Sequence, residues 1–410
     1  MVRREIALQF LSICSHASFT VLSNEILELY KVLLHDENLA IKVIVVDSLS
    51  SFTQLLQSKP EAQGNNVLKD SILPLVTEAW SDSSWRIRLS TAKYLSKIIS
   101  CFKGDTAVDI FRTGYLKLLI DLEADVRSTA LSAITGVVSI LTPEVFLVEA
   151  IGTLNKLVDD PFLNVRKALA DVSMDIAIIS GPQLVAQHLT DVVLKLSSDE
   201  ESLVKLRIIK KIDTICDELP SLCTRLTDIL RAAYADSNWR VRKAIATVTP
   251  SIVKGMGHEY FKDNFVAPLL QLLKDGVNEV RIAAATAVGK IIPMTELSWA
   301  FDHLLPPIKS MASDEYLVRV SMLTAIENVL SNTSSVPEKV QSDMVTLAIG
   351  ASRDKVPNVR IRATQALGTI CTYINAETVK NNIRPVLFEL QSDKDRDVQH
   401  FAKESFKKCP

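Results

Sequence analysis

Glycine is scarce in this 410-residue chain, at 12, and aromatic side chains make up only 6 %. There is no excess of either charge: 46 Lys+Arg stand against 48 Asp+Glu, a net charge of −2. That balance argues against nucleic-acid binding, which needs many basic groups facing phosphates. The six cysteines, Cys14, Cys101, Cys216, Cys223, Cys371 and Cys409, include no Cys-x-x-Cys. Neither a disulfide framework nor a zinc site is indicated, and buried thiols in a reducing compartment are expected. Gly-x-Ser-x-Gly, the P-loop and Gly-x-Gly-x-x-Gly are missing, which removes the usual signatures of serine hydrolases and nucleotide binders. The histidines (His16, His35, His188, His258, His303, His400) are isolated, with His258-Glu259 the single His-Glu dipeptide. No metal-ligand pair converges, and His258 reads as a surface or loop residue. Cys216 and Cys223 flank Pro220 and read as core thiols. No catalytic residue, metal or cofactor is expected. No apolar run reaches the roughly 18 residues of a membrane span. Arg3-Arg4 before Ile6 to Cys14 has the look of a secretory signal. Glu5 and Gln9 interrupt it, and no small-residue cleavage site follows.

What is present is leucine, isoleucine, valine and alanine among mixed charges, with 48 % hydrophobic residues. This composition is that of an all-α protein, either two or three globular domains or one repeat array. The aspartates decide between them. Asp36, Asp82, Asp121, Asp160, Asp199, Asp236, Asp275, Asp314, Asp354 and Asp393 are spaced 46, 39, 39, 39, 37, 39, 39, 40 and 39 apart. Six residues after each, eight of the ten positions are basic: Lys42, Arg88, Arg127, Arg166, Lys205, Arg242, Arg281 and Arg360. The residue before is Val or Ile in nine, Arg319 being the exception. In the Asp314 unit, Arg319 and Val320 are displaced by one residue. Val2-Arg3 adds a half repeat over residues 1–20.

Each unit predicts two helices with the aspartate in the turn between them. Upstream lies a short apolar segment such as Phe265 to Leu273. Pro74, Pro306 and Pro385, eight residues before their aspartates, and Pro268, seven before, mark a bend or entry. Downstream, Val241, Ala244, Ile245, Val248 and Ile252 form one helical face. The carboxylate is expected to accept backbone N–H groups and favour the second helix's N-terminus. The basic residue is expected to reach the aspartate of its own or the next unit, as a ladder. Such pairs bury their apolar faces only by stacking, the logic of a helical solenoid. The predicted fold is therefore one all-α, HEAT-repeat solenoid over residues 1–410, of about ten and a half repeats. The 46-residue spacing places an inserted loop at 57–66. Val2, Ile6 and Phe10 are expected to have one flank uncovered, by missing upstream repeats or beneath a partner. Lys403, Glu404, Lys407 and Lys408 give the last unit the polarity of a true end.

Stacking leaves the turns unexplained. Trp85 and Trp239 stand three residues after their aspartates, in Asp82-Ser83-Ser84-Trp85-Arg86-Ile87-Arg88 and Asp236-Ser237-Asn238-Trp239-Arg240-Val241-Arg242. One reading has each Trp folding over its own turn. The other makes Trp-Arg a binding anchor, since both residue types are enriched at interface hot spots. Leu39, Leu163, Leu317 and Pro357 extend an apolar ridge along the same position.

With these two turns, the 39-residue repeat and the C-terminal Asp397-Val398-Gln399-His400-Phe401-Ala402-Lys403-Glu404, the chain resembles the scaffolding A subunits of protein phosphatase 2A, across essentially its whole length. The resemblance implies a non-enzymatic HEAT scaffold aligned from the C-terminus of a fifteen-repeat array, with the first four and a half repeats absent. It implies a catalytic-subunit site at Trp239 and Arg240, extended by Val277, Asn278, Tyr316, Leu317, Val356, Pro357, Asn358, Asp395 and Arg396. Asn278 stands where the family has an aromatic residue. It implies a site for an exchangeable regulatory B-type subunit at Arg3, Arg4, Ser84, Trp85 and Arg86. No nucleic-acid or membrane partner is implied, and the cytoplasm is the expected location, with the nucleus second. The alternative is another HEAT adaptor such as a nuclear-transport receptor, expected to be more acidic and less uniform. An enzyme on the same scaffold, a DNA glycosylase or iron-dependent hydroxylase, is disfavoured by the neutral charge and missing ligand pairs.

Overall fold

Each repeat aspartate closes one helix and opens the next. A computed structural model describes residues 2–62, 66–334 and 336–409. Among the described residues every regular element is helical. The chain forms two compact units, Met1–Ile208 and Ile209–Pro410. In the first, helix pairs include Leu27–Leu34 with Leu39–Gln57, Leu73–Trp80 with Trp85–Ile99, and Pro143–Leu157 with Leu163–Leu184. In the second they include Thr227–Ala233 with Trp239–Met256, Val266–Leu272 with Asn278–Ile291, and Leu305–Ser310 with Tyr316–Asn332. Glu338–Ala351 with Pro357–Ile370 and Arg384–Leu390 with Arg396–Lys408 complete it. Within each unit the second helices of successive pairs lie side by side.

The recurrent prolines sit where the first helix restarts. Pro74, Pro306 and Pro385 each occupy the first turn of its closing segment. A proline has no N–H to donate, so it is best tolerated in the first turn of a helix. Wide helical turns at Leu68–Ile72 and Val379–Ile383 precede two of them and supply the bend. Pro268 differs, standing third in Val266–Leu272.

The second helices bury more than one face. Trp239–Met256 buries Val241, Ile245, Thr249, Ile252 and Val253, while Ala244 and Val248 are only half-buried. The expected stripe is rotated because the helix packs both on the closing helix of its own repeat and on neighbouring second helices. Close approach of two second helices needs a missing side chain. A Cβ at Gly289 would lie 2.6 Å from the Asn328 Cβ and 2.7 Å from its backbone.

The insertion is partly regular. Gln57 still belongs to Leu39–Gln57, and Pro60–Ala62 forms a 3-10 turn. The rest of that segment up to Asn66, namely 63–65, lies outside the described residues. At the other end the expectation for Phe10 fails. Its ring is 3 % exposed, packed edge-on against Tyr30 and Phe52, whereas Val2 and Ile6 stay exposed. Phe10 turns toward the following pair, so only the opposite flank of the helix is open.

Two helices, Leu39–Gln57 and Leu163–Ser197, are long and apolar enough to cross a membrane by length and composition. The sequence reading missed them because Lys42 and Asp47 interrupt the first and polar residues the second. Their apolar residues are those the stack requires, and 44 % of each window is buried inside the protein. The second is broken at Gly181, whose φ of 75° is left-handed.

Candidate functional site: a ridge of helix-opening turns

Within each unit most of the turns are tied to the next by ion pairs. Nine of the ten aspartates accept the backbone N–H two residues on, at 2.7–2.9 Å. That residue precedes the second helix, so the carboxylate braces the turn rather than the helix end itself. Arg88, Arg127, Arg166, Arg242, Arg319 and Arg360 are each the fourth residue of a second helix. Each directs Nε and Nη2 at the carboxylate of the next repeat, at 2.6–3.2 Å. Nη1 donates to the carbonyl of its own aspartate, at 2.5–2.9 Å. Of the two partners the sequence left open, the arginine takes the next repeat's carboxylate and its own repeat's backbone. Lys42 pairs with Asp82 at 2.9 Å, and Arg3 with Asp36 at 3.1 Å.

Burial acts to raise the Asp121, Asp275, Asp354 and Asp393 carboxyls. The arginine hydrogen bonds, the backbone N–H and the nearby positive charges outweigh it, and all four end below the usual carboxylate range. A forked arginine–carboxylate pair is also directional, so it fixes orientation as well as distance.

The step from Asp275 to Asp314 departs. Helix Tyr316–Asn332 starts two residues after Asp314, where the other second helices start three after theirs. Arg281 is 2 % exposed and finds only neutral acceptors. They are Ser321 Oγ at 2.8 Å, Asn278 Oδ1 at 3.1 Å and the carbonyls of Asp275 and Gly276. Asp314 pairs with Lys274 at 2.7 Å instead. Arg319 is one residue closer to its aspartate but still the fourth of its helix, and it keeps its place in the ladder.

The site residues named from sequence stand on this frame. Trp85 and Trp239 are first residues of their helices and half-buried; Arg86 and Arg240 are exposed. Each guanidinium lies over its neighbouring indole, at 4.8 Å for Arg86 and 4.6 Å for Arg240. Asn238 caps the second turn by accepting from Arg240 N–H, while Ser84, half-buried, makes no such bond from its side chain. In the second unit the following turns present Val277, half-buried, and Asn278, exposed, whose amide oxygen is engaged by Arg281. Tyr316 is 40 % exposed beside half-buried Leu317. Val356 and Pro357 are half-buried, Asn358 exposed. Asp395 caps the last helix through Asp397 and Val398 N–H, leaving Arg396 exposed. In the first unit Arg3 and Arg4 are exposed, beside a groove of about 420 Å³ lined by Val2, Glu5, Ile6, Gln9 and Ile13.

Sequence reasoning missed Leu122 and Phe162, 94 % and 55 % exposed. They rim a groove of about 430 Å³ together with Glu123, Ala124, Asp125, Leu163 and Asn164. Their signal was a large apolar residue one or two positions after the aspartate, where several other repeats have Glu, Ser or Asn. His258 is corrected. Its side chain is 17 % exposed, it opens a helix and it lies 4.4 Å from the Trp299 ring. All six cysteines are free and buried, and the structure brings Cys216 and Cys223 together. Among the described residues no group of three or more His, Cys, Asp or Glu could hold a metal.

Comparison with known proteins agrees with the geometry. Residues 265–294 match the family model described as HEAT repeat. The chain is 24 % identical over 205 residues to the human stalled ribosome sensor GCN1, covering 49 % of this chain and 8 % of that protein. For the mouse protein the identity is 24 % over 185 residues, 44 % of this chain and 7 % of that one. The chain thus spans less than a tenth of the length of these curated relatives. Among solved structures, Kap121p bound to Pho4p superimposes with a TM-score of 0.71 at 16 % identity, over 98 % of this chain and 43 % of that one. Kap121p bound to RanGTP gives 0.64 at 15 %, over 99 % and 46 %. With residues 265–294 matched to a HEAT repeat, the repeat carried through the sequence and helix pairs stacked within each unit, the fold is all-α and of the HEAT-repeat type.

Proposed function

We propose that the chain is the scaffold of a protein phosphatase 2A-type holoenzyme. The turns of the second unit, from Trp239-Arg240 to Asp395-Arg396, hold the catalytic subunit. Turns of the first unit, Arg3-Arg4 and Ser84-Trp85-Arg86, hold an exchangeable regulatory subunit. The scaffold performs no chemistry. It raises the effective concentration of one subunit at the other, in the cytoplasm and the nucleus. The observation that carries this reading is the pair of Trp-Arg-[Ile/Val]-Arg turns. In both, an exposed arginine lies over a half-buried indole at the first residue of a second helix. An arginine and a tryptophan so presented on a braced turn have the composition of a hot spot.

The test is binding of the purified chain to a phosphatase 2A catalytic subunit, wild type beside Trp239→Ala. A hot spot loses roughly 2 kcal/mol or more, about 30-fold in affinity. A loss below about threefold, or 0.7 kcal/mol, makes Trp239 a turn-packing residue. The likeness to Kap121p supports a second reading, a nuclear-transport receptor, at the level of fold. Binding to a Ran-type GTPase, with none to the phosphatase, would replace the first reading by the second.

A further inference from the structure

Cys216 and Cys223 are 1 % and 0 % exposed, and their sulfur atoms stand 2.8 Å apart. Cys216 lies in helix Ile212–Glu218 and Cys223 in helix Pro220–Arg225, joined through Leu219. Both backbones are held from the side. A Cβ on Gly255 would come within 2.8 Å of the Cys216 carbonyl carbon and oxygen, so the helix Trp239–Met256 runs against that residue. The Tyr260 hydroxyl donates to the Cys223 carbonyl at 3.4 Å. A covalent S–S bond is about 2.05 Å long, so closure needs a movement of less than about 1 Å. The hydrogen bond with Cys223 and burial push the Cys216 thiol well above its usual range, and both cysteines are free.

We propose that Cys216 and Cys223 form an oxidation site that closes to a disulfide on reaction with hydrogen peroxide. One thiol gives up its proton and attacks a peroxide oxygen. The O–O bond breaks, a sulfenic acid forms, and the departing hydroxide takes up the proton as water. The second sulfur attacks the sulfenic sulfur, the S–S bond forms, and the hydroxyl leaves with the remaining thiol proton as a second water. Two thiols are oxidised and one peroxide is reduced to two waters. The bond ties helix Ile212–Glu218 to the segment that leads through Thr227–Ala233 into the Trp239 turn. Oxidation therefore stiffens the hairpin that enters this turn.

The experiment exposes the folded chain to a peroxide dose that fully cross-links a control dithiol protein. Free thiols are then counted in denaturant and linked peptides mapped by mass spectrometry. The expected result is loss of two of the six thiols, a Cys216–Cys223 linked peptide, and recovery on reduction. Cys216→Ser, shown folded by circular dichroism, keeps all its remaining thiols. Cys223→Ser serves if that variant does not fold, and the linked peptide from the wild type decides by itself. Six thiols surviving, over-oxidation without a link, a link at Cys371–Cys409 in place of Cys216–Cys223, or the same loss in Cys216→Ser each overturns the proposal.

Discussion

The steps from Asp121 to Asp160 and from Asp275 to Asp314 are both 39 residues long, yet they are wired differently. In the first, Arg127 forks onto the buried Asp160 carboxylate at 2.7 and 2.9 Å. In the second, Arg281 is equally buried but holds a hydroxyl, an amide and two carbonyls. The difference comes from the turn after Asp314, which is one residue shorter. The lesson is that the arginine's place is counted from the start of its helix, not from the aspartate. Arg319 shows this by keeping its own contact with Asp354.

The largest expected effect separates the two steps. Arg127→Ala strands the Asp160 carboxylate and should cost roughly 3–5 kcal/mol. Arg281→Ala strands no carboxylate and should cost less, about 1–3 kcal/mol from unsatisfied acceptors. Urea unfolding of both variants checks the order, and equal losses would break the comparison. The second step relies on close helix packing. Gly289→Ala places a methyl group against Asn328 and should cost about 1–3 kcal/mol in the same assay.

Acid provides the next test. The ladder carboxyls Asp121, Asp275, Asp354 and Asp393 are held below their ordinary value, which is about 3.9 when unfolded. Groups lowered by folding contribute stability that is full above that value and lost as pH falls through the folded ones. The urea midpoint should therefore fall below about pH 4. Arg360→Ala, which removes the partner of Asp393, should reduce that fall; an unchanged pH dependence would sink the account. The smallest effect is expected from inserting one residue after Glu315. This restores the longer turn and should stabilise by about 1 kcal/mol if Arg281 recovers Asp314.

Much of the fold was legible because stacking demands repetition. The aspartate spacing, the basic residue and the apolar periodicity all answer to the same packing problem, and one residue per repeat reveals it. The ridge was legible at Trp85 and Trp239, where a bulky residue interrupts a polar turn. It was not legible at Leu122 and Phe162, whose exposure depends on where the short turns point. Phe10 was misjudged for a related reason. Periodicity places a residue on a helix face, but rotation of the helix between two neighbours decides which flank is covered.

By itself the sequence determined the repeat, the helix pair and the turn chemistry, since each follows from local spacing and backbone hydrogen bonding. Only the tertiary structure decided which carboxylate each arginine takes, because two candidates lie within reach of a flexible side chain. It alone decided that Arg281 goes without one, since a shortened turn redirects Asp314. It alone brought Cys216 and Cys223 to 2.8 Å, because the hairpin around Leu219 reverses the chain between them.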